Sequence, residues 1–277
     1  MPELPEVEHV VRALRRAVLG RQIVATEIHL PKLISPTSPS GFKLKLKGSR
    51  ISGVGRRGKF ILIGLDSGRV LVVHLRMTGK FLVLAPDDPL PLHAHAVFYL
   101  ADERRLVFRD QRQFGVIKLV ATSRLGKTKG ITELAPEPFS DEFSVGYLKE
   151  TLVRSRRTLK TLLLDQTRVL GLGNIYAAEA LFRAGINPFK TASDLSVRRV
   201  ERLHQAIRDV LRAAVSGSST SRINLENPNG FSYGEAFGRV WQVYHREGKA
   251  CFKCGSRIRR LTHAGRSTYW CPRCQRG

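Results

Sequence analysis

The stretch Phe60-Ile61-Leu62-Ile63-Gly64-Leu65-Asp66-Ser67-Gly68-Arg69-Val70-Leu71-Val72-Val73-His74-Leu75 reads as two strands joined by a turn. Its apolar runs are rich in Ile, Leu and Val, and Asp66-Ser67-Gly68 supplies turn residues between them. Upstream, Phe42, Leu44 and Leu46 alternate with Lys43, Lys45 and Lys47, the period of a half-buried strand. Downstream, Val97 to Leu100, Leu106 to Phe108 and Val116 to Val120 add short strands. Strands at this spacing predict a β-sandwich or barrel. Ahead of them, Val7, Val10, Val11, Leu14 and Val18 mark the apolar face of a helix packed on it. Pro5 suits the first helical position, Glu6 and Glu8 the positive end, Arg15 and Arg16 the negative end, and Gly20 can end the helix.

After Val120 the pattern changes. A Gly/Lys/Thr-rich stretch leads to Pro136 and Pro138, where a linker is expected. Val197, Val200, Leu203, Ile207, Val210, Leu211 and Ala214 predict one long amphipathic helix. Ser216 to Ser221 and Asn227-Pro228-Asn229-Gly230 read as loops. All four cysteines follow, as Cys251-Phe252-Lys253-Cys254 and Cys271-Pro272-Arg273-Cys274, with 16 residues between the knuckles. Such knuckles offer four thiolates for tetrahedral zinc. With every coordination position filled by protein, one structural ion is expected, with no place for water or substrate. Arg257, Arg259, Arg260 and Arg266 make the intervening hairpin basic, which points to nucleic acid. The alternative is a zinc ribbon that only holds the C-terminus.

Length and charge set the wider frame. The 277 residues suggest about two domains, each large enough for a core. Lys and Arg number 47 against 23 Asp and Glu, a net charge of +24, and the isoelectric point is about 10.8. Such an excess favours a polyanionic partner, with nucleic acid ahead of a membrane surface because the cations are not gathered on one amphipathic helix. No apolar run approaches the roughly 18 residues of a membrane span. The acidic, proline-broken start is unlike a secretory signal, so a cytoplasmic, nucleoid-associated protein is expected.

The N-terminus carries a second chemical signal. Removal of Met1 would leave Pro2 with a free secondary amine. An α-amino group titrates near about 8 and a lysine near about 10.4, so the terminal amine is the better poised nucleophile at neutral pH. Its attack on a sugar C1′ gives an iminium ion that has no N–H proton to lose, and that ion is an electron sink for elimination. Glu3 beside it is a candidate proton donor. Taken alone, Pro2-Glu3 is common at a chain start and reads first as an ordinary helix entry.

Pro2-Glu3-Leu4-Pro5-Glu6-Val7-Glu8 resembles the opening of the formamidopyrimidine-DNA glycosylase family. The resemblance continues in order through Gly58-Lys59-Phe60, His74-Leu75-Arg76-Met77-Thr78-Gly79 and Asp110-Gln111-Arg112-Gln113-Phe114-Gly115. It runs on through Pro136-Glu137-Pro138, Leu163-Leu164-Asp165-Gln166, Gly171-Leu172-Gly173-Asn174-Ile175-Tyr176 and Gly265-Arg266-Ser267-Thr268-Tyr269 to the cysteine knuckles, covering essentially the whole chain. It implies an α+β multidomain fold with three domains: an N-terminal catalytic β-sandwich at 1–132, a helix–two-turns–helix domain at 133–245 and a zinc finger at 246–277. DNA is expected between the lobes.

The implied activity is base-excision repair. The enzyme would remove oxidised purines (8-oxoguanine and formamidopyrimidines) from duplex DNA as a monomer, then cleave the abasic strand by β,δ-elimination. Residue by residue, Pro2 matches the nucleophile, Glu3 the acid at the sugar and Lys59 the group assisting at the lesion and its phosphate. Lys59, His74, Asn174 and Arg266 match the set that grips phosphates, with Arg266 grouped among the catalytic residues. Met77, Arg112 and Phe114 match the side chains that fill the space of the extruded base. In isolation Met77 and Phe114 read as strand core, Arg112 as a surface cation and His74 as a core histidine.

The chain also departs from the family pattern. Gly217-Ser218-Ser219-Thr220-Ser221-Arg222-Ile223 lacks the Gly-Gly-Thr-Thr-like run expected in the loop over the flipped base, and His245 and Ala135 stand where glycine is expected. Two alternatives accompany this reading: an endonuclease VIII-like glycosylase for oxidised pyrimidines, and a non-catalytic zinc-containing nucleic-acid-binding protein. In the second, Pro2 and Glu3 have no evident use.

Overall fold

The computed structural model describes residues 1–216, 223–227 and 240–276. The chain forms two compact units, one of residues 1–132 joined by 223–227 and one of 133–216 joined by 240–276.

The first unit opens with α1 (Leu4–Val18), and Pro5 stands in its first turn. Glu3 and Glu6 form a capping box, with the Glu6 carboxylate accepting from the Glu3 N–H at 2.8 Å. Val7, Val10, Val11, Leu14 and Val18 are buried, and Gly20 beyond the helix adopts φ +78°. The next element corrects the sequence reading. Phe42, Leu44 and Leu46 lie on the helix α2 (Pro39–Leu46), not on a strand. Ser38 accepts from the Gly41 N–H at 3.2 Å and Pro39 opens the first turn, a start signal that outweighs the short alternation. Phe42 and Leu46, one helical turn apart, are fully buried, whereas Leu44 is 77% exposed.

Among the described residues, the strands of this unit make two antiparallel sheets. They are β1 (Ile23–Ile28), β2 (Ile51–Arg57), β3 (Phe60–Leu65), β4 (Arg69–His74), β5 (Lys80–Leu84), β6 (Ala94–Leu100), β7 (Arg105–Arg109) and β8 (Val116–Ala121). The sheet orders are β1-β6-β7-β5 and β2-β3-β4-β8. The 60–75 stretch is the expected hairpin, with Phe60 opposite His74 and Leu65 opposite Arg69. Phe81, Val83, Phe98 and Phe108 from one sheet and Ile61, Ile63, Leu71 and Val73 from the other share one core with α1. The unit is therefore a sandwich carrying its opening helix. β1, β2 and β5 were not foreseen; β2 holds Gly53 and Gly55, and β5 spans only five residues.

The second unit is helical and then ribbon-like. It contains α3 (Val145–Val153), α4 (Leu159–Leu163), α5 (Asn174–Ala184) and the expected long helix α6 (Val197–Ser216). α3 and α5 pack on α6, whose Val200, Leu203, Ile207, Leu211 and Ala214 are buried. The hairpin β9 (Arg259–His263) and β10 (Arg266–Trp270) follows. Ser216 ends α6, while 217–222 and 228–230 of the expected loops lie outside the described residues. No helix of the described residues is long and apolar enough to cross a membrane.

Candidate nucleic-acid and metal sites

Pro2 and Glu3 are buried at the entry of α1, Glu3 to 2% exposure, while Met1 is half exposed. With Met1 attached, the Pro2 nitrogen is a tertiary amide and has no basic lone pair. Two links tie α1 to the β2–β3 turn: Glu8 pairs with Arg56 at 3.1 Å, and Arg56 donates to the Gly58 carbonyl at 3.2 Å. Arg56 and Arg12 hold the Glu8 carboxyl below its usual range against a burial effect of opposite sign. That turn carries Lys59, which is only 4% exposed. Phe60 pairs with His74 across the hairpin, and their rings meet edge to face at 4.7 Å. His74 is buried, and burial followed by the charges of Arg76 and Lys59 lowers its pKa to about 3. Its Nδ1 accepts from the Arg76 N–H at 2.9 Å, so the neutral ring carries its proton on Nε2. His74 is thus a fixed neutral donor.

Met77, Arg112 and Phe114 occupy two neighbouring turns, 75–79 between β4 and β5 and 110–115 between β7 and β8. Met77 is 42% and Phe114 53% exposed, so neither is strand core. The Arg112 guanidinium lies 5.0 Å from the Phe114 ring centroid and 2.9 Å from the Met77 sulfur. Exposed apolar side chains around a cation suit insertion into a base stack.

In the second unit, Gly173 caps α5 and Asn174 is its first residue. Asn174 donates to the Ser267 carbonyl at 3.0 Å, and its own Oδ1 is buried without a partner among the described residues. Lys160 on α4, 1% exposed, reaches the same carbonyl at 2.7 Å and the Thr268 hydroxyl at 2.8 Å. Arg266, next to Ser267, is exposed at the β9–β10 turn, where Ala264 and Gly265 have φ +47° and +71°. Gln166 clasps the loop ahead of Asn174, donating to Leu164 and Leu172 carbonyls and accepting from Gly171 N–H.

The four cysteine sulfurs lie within 4.8 Å of one another, with Cys251–Cys274 at 3.9 Å and Cys254–Cys271 at 3.4 Å. Zinc–thiolate bonds of about 2.3 Å in a tetrahedron require sulfurs about 3.8 Å apart. The cluster fits one zinc ion with no open position. Gln275 ties the cluster to the segment that follows α5, accepting from Cys271 N–H at 2.9 Å and donating to the Ile186 carbonyl at 3.0 Å.

Several supporting residues escaped the sequence reading. Lys160 and Gln275 act over long separations and carry no local pattern, and Gln166, although part of the Leu163-Leu164-Asp165-Gln166 motif, was given no role. Glu179 also went unseen: its buried carboxylate accepts from the backbone N–H groups of Gln242, Val243 and Tyr244, while burial raises its pKa. One departure is explained by geometry. His245 has φ +55°, the region that favours glycine, and its ring packs on Tyr244 at 4.5 Å and Tyr269 at 5.6 Å. Ala135 is buried and donates to the Gln166 carbonyl at 3.0 Å.

Comparison with known proteins agrees with this layout. Residues 1–117 match the formamidopyrimidine-DNA glycosylase N-terminal domain, 134–224 its H2TH domain, and 248–277 the zinc finger found in FPG and IleRS. The formamidopyrimidine-DNA glycosylase of Pelotomaculum thermopropionicum is 45% identical over 276 residues, covering 100% of this chain and 99% of that protein. That of Bacillus subtilis is 41% identical, covering 99% of each chain. Among solved structures, MutM in complex with DNA containing carbocyclic 8-oxo-G superposes with a TM-score of 0.90 at 34% identity over 100% of both chains. Lactococcus lactis Fpg with abasic-site DNA gives 0.89 at 33% identity, covering 99% of this chain and 100% of that one. Fpg from the same organism has also been solved with DNA containing an oxidised pyrimidine, at a TM-score of 0.89 and 34% identity over both whole chains. Three domain matches in order, and relatives above 40% identity along the full length, establish that the chain belongs to the formamidopyrimidine-DNA glycosylase family.

Proposed function

We propose that this protein excises oxidised purines, 8-oxoguanine and formamidopyrimidines, from duplex DNA and then cleaves the abasic strand. The Pro2 amine, freed of Met1, attacks C1′ as the N-glycosidic bond breaks; the base leaves with the bond electrons and takes up the proton that the amine gives off. Glu3 protonates the sugar ring oxygen, and the C1′–N bond becomes an iminium ion. Loss of a C2′ proton expels the 3′ phosphate, a second elimination expels the 5′ phosphate, and hydrolysis of the remaining iminium regenerates Pro2. Lys59 and Arg266 serve catalysis at the lesion and its phosphates, with His74 and Asn174 gripping the backbone. Met77 and Phe114 fill the vacated stack, and Arg112 faces the widowed base.

The observation that supports this reading is the buried Pro2–Glu3 entry, held through Glu8, Arg56 and Gly58 to the turn that bears Lys59. Cytosine offers N3 and O2 as acceptors to the Arg112 fork, whereas adenine sets an amino donor against it. We further assign domain limits at 132/133 and 245/246, a monomeric working form and a cytoplasmic, nucleoid-associated location.

Borohydride trapping on single-lesion duplexes tests the chemistry. Protein lacking Met1 should trap covalently on 8-oxoguanine duplex through Pro2, and Pro2→Gly should bind DNA but lose most cleavage. Undiminished trapping by protein that retains Met1 would remove Pro2 as nucleophile. Faster excision of oxidised pyrimidines than of 8-oxoguanine would move the chain to the endonuclease VIII-like reading.

A further inference from the structure

We infer that Asp110 and Thr78 form a latch that makes Met77, Arg112 and Phe114 one reading head, so that opposite-base choice depends on positioning residues behind the side chains facing DNA. The inference rests on the roles proposed above for those three side chains. Its basis is the path of the chain. Turn 75–79 leaves β4 in one sheet for β5 in the other, and turn 110–115 returns from β7 to β8. Because β4 pairs with β8 and β5 with β7, the two crossings run side by side, although about thirty residues separate them in sequence.

Two features press the crossings together. Gly79 and Gly115 both lie against the Phe108 ring, where a Cβ would come within 2.9 Å and 2.6 Å of it. A Cβ on Gly79 would also meet the Leu75 carbonyl at 2.5 Å, so neither turn can carry a larger residue there. Each turn also bends through a left-handed non-glycine residue, Arg76 at φ +55° and Gln113 at φ +56°. Such backbone persists only where surrounding bonds hold it.

Those bonds converge on Asp110, which is 1% exposed. One carboxylate oxygen accepts from the Thr78 hydroxyl and from the Arg112 N–H, and the other accepts from the Gly115 N–H at 2.7 Å. Thr78 in turn accepts from the Arg112 N–H at 3.1 Å. The backbone of Asp110 is itself fixed, donating to the His93 carbonyl at 3.1 Å and accepting from His95 Nε2 at 2.8 Å. Three donors meet here, and only an acceptor with two free oxygens satisfies all of them; an asparagine would point an N–H group at one. The hydroxyl of Thr78, next to Met77, joins its turn to the Arg112 backbone, beneath the direct contact of the Arg112 guanidinium with the Met77 sulfur. With it in place, insertion of Met77 and reading by Arg112 are one event.

The test uses full-length, zinc-loaded protein and single-turnover excision of 8-oxoguanine opposite cytosine and opposite adenine. Thr78→Val keeps the shape and removes the link, and should lower the cytosine-to-adenine rate ratio by about 2- to 12-fold, the range of one net hydrogen bond. Thr78→Ser should restore the ratio, and Asp110→Asn should lower it further. In a double-mutant cycle, the Met77→Ala penalty should shrink in the Thr78→Val background. A 2-aminopurine beside the lesion should report slower insertion in Thr78→Val. An unchanged ratio with additive Met77 and Thr78 effects overturns the latch, whatever happens to the melting temperature. If Arg112→Ala keeps the full cytosine preference, Arg112 is not the reader, and the 2-aminopurine signal still decides the latch: unaltered insertion in Thr78→Val refutes it.

Discussion

At the scale of single residues, His74 is proposed to grip a phosphate, yet its surroundings keep it neutral. Burial, then Arg76 and Lys59, hold its pKa at about 3 in the folded protein, against about 6.5 for a free histidine. The folded state therefore resists a proton that the unfolded chain accepts. Above about pH 6.5 neither state is protonated and His74 costs nothing; as pH falls from about 6.5 towards 3, protonation of the unfolded chain lowers stability; below both values the loss is complete. The slope approaches about 1.4 kcal/mol per pH unit. Urea midpoints between pH 7.5 and 4.5 should fall more steeply for the wild type than for His74→Gln. Parallel curves would mean that His74 titrates normally. The sequence placed His74 in a family motif, but its tautomer was illegible because it depends on the left-handed backbone of Arg76.

At the scale of elements, legibility followed the strength of the apolar pattern: the seven-residue β2, with Gly53 and Gly55, escaped, and the five-residue β7 did not. The α6 pattern extends over 20 residues and its buried face is the expected one. The eight residues of α2 permit both a strand-like alternation and an i, i+4 pair, and the Ser38–Pro39 start settles the matter. The cysteine knuckles were legible because spacing alone brings ligands together. What the ribbon holds was not, since Lys160 and Asn174 reach Ser267 from far away in sequence. The same bonds define what zinc does here. Cys254→Ser leaves three thiolates, so β9–β10 should loosen and Arg266 should lose its fixed position while β3–β4 stays folded. Losing one charge-assisted phosphate contact of about 1.5–3 kcal/mol predicts roughly ten- to hundredfold weaker binding to an abasic-site duplex. Hydrogen exchange should show amides of 259–270 exposed and those of 60–74 protected. Full protection of the ribbon with zinc absent would contradict a structural ion.

At the scale of the whole molecule, the charge of +24 makes salt the natural probe of DNA binding. Each phosphate neutralised by a cation releases counterions, giving a slope of log affinity against log salt of about −0.9 per contact. The proposed phosphate grip is electrically mixed. Arg266 is an exposed cation, Asn174 is neutral, and His74 is neutral at any pH well above about 3. These residues should separate in a salt titration even if each variant weakens binding. Arg266→Ala should reduce affinity and flatten the slope by about 0.9. Asn174→Ala and His74→Ala should weaken binding by roughly ten- to hundredfold, as for a lost hydrogen bond to a charged acceptor, and leave the slope alone because no cation is removed. The measurement is fluorescence anisotropy with an uncleavable abasic-analogue duplex at pH 7.5, from low to moderate salt. A slope flattened in His74→Ala would show that DNA draws a proton onto the imidazole, because only a charged ring displaces a counterion. The slope thus counts the cations in the grip, and the residual affinity at high salt reports the neutral donors.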